Sequence, residues 1–146
     1  MDSRQKSQQI IEHIKQINRL VHTKHHEVAK EHNLTLDQFH LLVHLPKREE
    51  PPTISEIADR ASKAHNTISE KVTRLEEKGL VKRVRDEKDR RISRVVITEK
   101  GQKLLDTIKR QAGYEFVYNA LEKIDNEIVD NLLGGLKELS EQLNKG

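Results

Sequence analysis

Residues 66–91 read NTISEKVTRLEEKGLVKRVRDEKDRR. Ile68, Val72 and Leu75 recur at helical spacing, which predicts an amphipathic helix with one buried stripe. The spacing carries it from about His65 to Lys78, where Gly79 supplies the left-handed stop that costs glycine least. Beyond it, LVKRV and ISRVVIT alternate apolar and polar residues as half-buried strands do, and the wholly charged RDEKDRR between them predicts an exposed hairpin.

Charge is concentrated in this region. From Arg60 to Arg94 there are 12 Lys or Arg against 6 Asp or Glu, a local excess of +6. The remainder holds 15 basic and 18 acidic residues and sums to −3, giving +3 overall. A basic middle between acidic ends suits a face that meets a polyanion. A solvated helix face accounts well for mixed charge and poorly for such segregation.

Working outward, Ile10, Ile14, Ile17, Val21 and Val28 form one stripe of a long helix over Gln8 to Glu31, with Asn33 as its stop. TLDQ at Thr35 to Gln38 is a capping-box pattern. It opens a second helix that turns Phe39, Leu42, Val43 and Leu45 inward and halts at Pro46. KREEPP then makes a stiff break. TISE at Thr53 to Glu56 is a second capping-box pattern, opening a short helix with Ile54, Ile57, Ala58 and Ala61 inward. A fifth helix starts at Thr98 to Lys100 and reaches about Asn119, and a last one over Asp125 to Leu143 buries Ile128, Leu132, Leu136, Leu139 and Leu143.

The expected fold is therefore mainly α with a small β-hairpin wing. A winged helix-turn-helix lobe over residues 35–100 is flanked by N- and C-terminal dimerisation helices, 8–31 and 104–145. The 146 residues suffice for one domain. With 3% aromatic residues and 35% charged ones, a long-helix architecture or an obligate dimer is expected rather than a monomer with a large core. The outer apolar stripes would stay partly wet in a single chain, which makes a homodimer the expected assembly. Gly134 and Gly135 inside the last helix call for a close crossing, a kink or a break.

Composition also excludes functions. Without cysteine there is no disulfide, thiolate metal site or thiol switch. No Gly-rich phosphate loop, nucleophile elbow or acid pair points to an enzyme. No apolar run approaches membrane-spanning length and no signal peptide is evident, so a soluble cytoplasmic chain without a membrane partner is expected.

The stretch ISEIADRASKAHNTISEKVTRLEEKGLVKRVRDEKDRRISRVVITEKG resembles the MarR family of bacterial winged helix-turn-helix transcriptional regulators. The likeness spans essentially the whole chain. It is most specific at the RLEEKGLV helix exit, the DEKDRR wing tip and the ITEKG lead-in to the fifth helix. Two departures stand out. Lys63 and Ala64 occupy the place of an apolar residue and a Ser N-cap, and Ser62 replaces the usual turn glycine. An absent Ser cap costs about 1 kcal/mol, so the recognition helix is expected to start late or to fray.

The resemblance implies a homodimeric regulator of double-stranded DNA, more often a repressor in this family, on a pseudo-palindromic operator. A helix fits the major groove, where each base pair shows its own donor and acceptor pattern. Its outward face offers His65, Asn66, Thr67, Ser69, Glu70, Lys71 and Thr73, while Arg74 is expected to brace Glu77 or another carboxylate. Lys88, Asp89, Arg90 and Arg91 form the wing tip. An arginine there suits the minor groove, and Asp89 is read, with the family's support, as holding a neighbouring guanidinium through a bidentate pair. Lys63, Lys82, Arg83, Arg85 and Arg94 are the expected phosphate contacts. The competing reading is a winged-helix module for protein–protein or RNA binding, against which the basic wing argues.

Seven of the eight histidines lie between His13 and His44. His22 and His26 are one helical turn apart, as are His40 and His44, a spacing that can chelate a metal. No carboxylate or thiolate completes a ligand set at the expected spacing. They are read as ordinary surface or interface histidines, with no metal and no cofactor expected; a small-molecule effector stays open.

Overall fold

The computed structural model describes residues 1–45 and 49–146. The expected halt at Pro46 and the Lys47–Arg48 part of the KREEPP break lie outside the described residues. The first helix, α1 (Ser3–Glu31), begins five residues earlier than its apolar stripe indicated. Asp2 caps it: its side chain accepts from the Gln5 N–H at 2.8 Å and the Gln5 side chain answers on the Asp2 N–H at 2.9 Å. Asn33 ends it in the left-handed region at φ 61°. The N–H groups of Asn33 and Leu34 turn back to the carbonyls of Lys30 and Ala29, which satisfies the last turn.

α2 (Leu36–His44) carries the full capping box foreseen at Thr35 and Gln38. In α3 (Ile54–Ala61) the Thr53 hydroxyl accepts from the Glu56 N–H at 3.1 Å, without the reciprocal bond of a complete box. Phe39, Leu41, Leu42, Leu45, Ile54 and Ala58 are buried, whereas Ala61 is exposed, contrary to the inward position expected for it. α4 (His65–Glu77) buries Ile68, Val72 and Leu75, and Gly79 closes it at φ 75°.

β1 (Val81–Arg85) and β2 (Ser93–Ile97) pair antiparallel, with Val81 opposite Ile97 and Arg85 opposite Ser93. The Val95 N–H reaches the Pro52 carbonyl at 2.9 Å, so the segment before α3 lies against the outer edge of the hairpin. Thr98 caps α5 (Glu99–Lys109) and donates its hydroxyl to the Gly79 carbonyl at 2.6 Å. A Cβ at Gly101 would sit 2.2 Å from the Leu80 carbonyl oxygen, so only glycine lets this helix approach the root of the wing so closely.

The expected fifth helix continues past α5 through a π turn, Arg110–Tyr114, into α6 (Glu115–Leu121). The π turn packs on α1: Ala112 is fully buried, and Gln111 meets His32 Nε2 at 3.2 Å. α7 (Asn126–Lys145) is capped by Asp125 and runs unbroken through Gly134 and Gly135, which disposes of the break. No residue of α7 is buried in the chain. Ile128, Leu132, Leu136, Leu139 and Leu143 are all exposed, so the last helix does not bury them within the single chain, where the outer stripes were expected to stay partly wet.

The core is one cluster. Val28 and Ala29 of α1 and Leu105, Ile108 and Ala112 of the long helix pack with Leu42, Leu75, Leu80, Val81 and Val95 of the lobe. The flanking helices are thus rooted in the lobe by their inner ends, and their outer ends leave it.

Candidate nucleic-acid interface

α3 and α4 meet across a tight turn built on Ser62, which takes φ 52° in the place of the family's glycine. The N–H groups of Ser62 and Lys63 return to the carbonyls of Asp59 and Ala58, so the turn keeps its left-handed closure with a serine. A residue with a Cβ pays about 1–2 kcal/mol for that conformation. Ala64 is the N-cap of α4 and offers no side-chain bond. The helix nevertheless begins at His65, where the apolar spacing put it and without the late start expected from the missing cap, and its first N–H groups receive no side-chain cap bond.

Burial of Ile68, Val72 and Leu75 turns the opposite face outward. His65, Asn66, Thr67, Glu70, Thr73 and Arg74 are exposed. Asn66, Ser69, Glu70, Thr73 and Arg74 line one shallow concavity along this face. Arg74 is part of that surface and makes no ion pair among the described residues, so the bracing role expected of it is not realised. Lys71 turns away instead: its Nζ pairs with Asp37 of α2 at 3.2 Å. The expectation that it faces outward is corrected.

Arg83 on β1 is also committed inside the lobe. Its guanidinium meets Glu76 Oε1 at 2.5 Å, the Ser69 carbonyl at 2.8 Å, Ser69 Oγ at 3.1 Å and Thr73 Oγ1 at 3.0 Å. Its backbone N–H donates to Glu76 Oε2 at 3.1 Å. Thr73 returns its hydroxyl proton to the Ser69 carbonyl at 3.0 Å. One arginine therefore clamps the hairpin to two turns of α4 and occupies the hydroxyls of Ser69 and Thr73. This departs from the expectation of a free phosphate donor at Arg83 and of free hydroxyls at Ser69 and Thr73.

Arg94 on β2 plays the same part at the other edge. Its Nε meets Asp86 Oδ1 at 3.1 Å, and its terminal nitrogens reach the Pro51 carbonyl at 2.7 Å and Glu50 at 3.2 Å. The side chain is only 18% exposed, so it too is no free phosphate donor. The bond from Arg94 holds the Asp86 carboxyl below the usual carboxylate range. The partners Glu76, Asp86, Asp37 and Glu50 were not singled out in the sequence, because each belongs to a different element from the base it holds.

The wing tip is a tight charged turn. Asp89 accepts from Arg91 Nε and from a terminal nitrogen at 3.0 Å each, the bidentate pair expected of it. The Arg91 side chain remains 90% exposed, so it is held in place without being covered. The same bonds lower the Asp89 carboxyl below its ordinary range. Arg85 donates to the Arg90 carbonyl at 2.9 Å, and the residues Lys63, Lys82, Arg85, Lys88 and Arg90 are all exposed.

The two parts adjoin. A groove is lined by Thr53 to Glu56 at the start of α3, by His65 and Ser69 of α4, and by Arg91 to Arg94 of the wing. Ser69 belongs to this groove and to the concavity along α4, so helix face and wing form one continuous surface.

A helix-turn-helix braced by arginines against a basic hairpin, between long flanking helices, defines a winged helix-turn-helix protein. The model of the family described as transcriptional regulator SarA/Rot matches residues 23–108, more than half of the chain, and the chain belongs to that family. It is 29% identical over 110 residues to the HTH-type transcriptional regulator SarZ of Staphylococcus haemolyticus, covering 75% of this chain and 72% of SarZ. The transcriptional regulator Tm0710 from Thermotoga maritima superposes with a TM-score of 0.85 at 25% identity, covering 94% and 96% of the two chains. A MarR family protein from Bacillus stearothermophilus shares the fold at TM-score 0.66 and 24% identity, covering 99% of each. So does a mutant of MepR from S. aureus bound to an oligodeoxyribonucleotide, at TM-score 0.73 and 21% identity over 89% and 94%. Among the described residues no helix is long and apolar enough to cross a membrane.

Proposed function

We propose that the protein binds double-stranded DNA sequence-specifically as a homodimer and represses transcription by occupying a pseudo-palindromic promoter site. The observation that carries this reading is the continuity between the outward face of α4 and the wing that bears Arg90 and Arg91. In this reading His65, Asn66, Thr67 and Glu70 meet base edges, where Asn pairs with adenine and Thr touches a thymine methyl. Arg90 and Arg91 reach the minor groove, with Lys88 beside them. Lys63, Lys82 and Arg85 contact phosphates. Ser69, Thr73, Arg83 and Arg94 act as positioning residues that fix helix and wing relative to each other, and Asp89 does so for Arg91. The DNA-bound MepR mutant, which shares the fold, supports the same use of it.

The dimer is assigned to the outer ends of 8–31 and 104–145. Ile10, Ile17 and Leu20 of α1 and Ile128, Leu132 and Leu136 of α7 are exposed in the single chain. A second copy removes this surface from water at roughly 25 cal/mol per Å² of apolar area. A two-fold pair of lobes then spans successive major grooves. A crevice walled by Leu41, Leu45, Pro52 and Ile57, with His44 and Arg60 beside them, is the place proposed for a small-molecule effector that relieves repression.

The test is to sequence the genomic duplex fragments that the purified protein retains against competitor RNA and single strands. Enrichment of inverted repeats with half-sites about one helical turn apart is the expected result. Retention of RNA, or of no duplex class above background, contradicts the reading and favours an RNA-binding or protein-binding winged helix.

A further inference from the structure

Where α1 crosses α2, three imidazoles converge. His22 and His26 come from successive turns of α1 and His40 from α2. Their ring centroids lie 4.2 Å apart for His22 and His26, 5.7 Å for His26 and His40, and 6.0 Å for His22 and His40. One ring nitrogen of each lies within 4.8 Å of those of the other two. His26 Nε2 is sealed from solvent and has no hydrogen-bond partner among the described residues. The neighbouring histidines differ: His25 Nδ1 bonds the Val21 carbonyl at 2.8 Å and His32 Nε2 bonds Gln111 at 3.2 Å. A buried polar nitrogen is normally satisfied, and an orphan one calls for a missing partner.

We propose that His22, His26 and His40 form a three-imidazole site for a late first-row divalent cation, with zinc as its representative and the fourth position left to water. An all-imidazole donor set favours zinc, nickel and copper over magnesium and calcium, which take oxygen ligands. Three histidines with one open position is an established four-coordinate zinc arrangement. Bonds of about 2.0–2.1 Å place tetrahedral donors roughly 3.3 Å apart, so the trio closes by about 1.5 Å at its widest pair. His22 and His40 are exposed and free to turn, while His26 is held between them. An ion there supplies the partner that His26 Nε2 lacks and ties the helix carrying the outer apolar stripe to the first helix of the lobe. The sequence hid this arrangement. It shows two i, i+4 pairs, but the third donor joins from another helix, and of the second pair only His40 reaches the trio, although both His40 and His44 line the neighbouring crevice.

The test uses the untagged, metal-free full chain titrated with zinc and, for its visible spectrum, with cobalt. The expected result is saturation at a single ion per chain, a tetrahedral cobalt spectrum and a raised melting temperature. His22→Gln and His40→Gln, both at exposed positions where folding is undisturbed, each weaken binding by at least about tenfold, and His44→Gln leaves it unchanged. Absence of saturable binding, an affinity indifferent to His22→Gln and His40→Gln, or an equal loss in His44→Gln overturns the proposal.

Discussion

Asp89 grips Arg91 at the wing tip through two bonds of 3.0 Å, and Asp89 is itself anchored by its N–H to Asp86 Oδ2 at 3.1 Å. The exposed guanidinium is thereby aimed before any partner arrives. Pre-positioning reduces the side-chain ordering that binding would otherwise require.

Asp89→Asn is expected to weaken operator binding by about tenfold while lowering the melting temperature only slightly, because the pair is largely exposed to solvent. Arg91→Ala should cost a similar factor, and the double variant little more than either single one, since the two residues act as a unit. Anisotropy titrations on a retained fragment, with melting curves alongside, check this. Additive losses would show that Asp89 does not act through Arg91.

Asp86 and Asp89 both titrate below the ordinary carboxylate value of 3.8 because Arg94 and Arg91 bond their charged forms. A carboxyl whose folded pKa is depressed contributes stability that is complete above its unfolded pKa and is lost as pH falls through the folded one. Acid unfolding should therefore steepen below about pH 4, and Asp86→Asn should flatten that part of the profile. Denaturant melts between neutral and acid pH measure it.

The α3–α4 turn carries two local costs. Ser62 sits at φ 52° and Ala64 gives α4 no cap. Ser62→Gly should stabilise the chain by about 1 kcal/mol, and Ala64→Ser by a comparable amount through a bond to a first-turn N–H. A rise in the urea midpoint without a change in slope is the expected signature.

Leu132→Glu places a charge in the middle of the exposed α7 stripe. It should raise the dimer dissociation constant by about thirtyfold or more and leave the lobe folded, because α7 buries nothing within its own chain. Sedimentation across a concentration series reads both. An unchanged dimer would move the interface elsewhere.

Much of this architecture was legible in the sequence, for physical reasons that differ from element to element. Ile68, Val72, Leu75 and Gly79 are local signals, as is the Thr35 cap, and each reads correctly from a few neighbours. The bidentate partner of Asp89 lies two residues away and was legible with the family's help. Lys71, Arg83 and Arg94 were misjudged as free cations because a basic side chain looks alike in sequence whether it meets solvent or Asp37, Glu76 or Asp86. The π turn at Arg110–Tyr114 adds a residue to one helical turn, and the single Gly113 within it is too weak a local signal to mark the change of phase. In α7 the apolar stripe was visible, but none of it is buried in the single chain.

We propose that α4 and the wing, doubled in a homodimer, form a surface for duplex DNA. The most direct test is the salt dependence of binding to a retained duplex, compared between the wild type and Arg90→Ala. The wild type should lose affinity linearly in log–log form by about 0.9 per neutralised phosphate. Arg90→Ala should weaken binding and reduce the slope by about 1 per lobe. A flat salt response, identical curves for the two proteins, or equal affinity for single strands would contradict it.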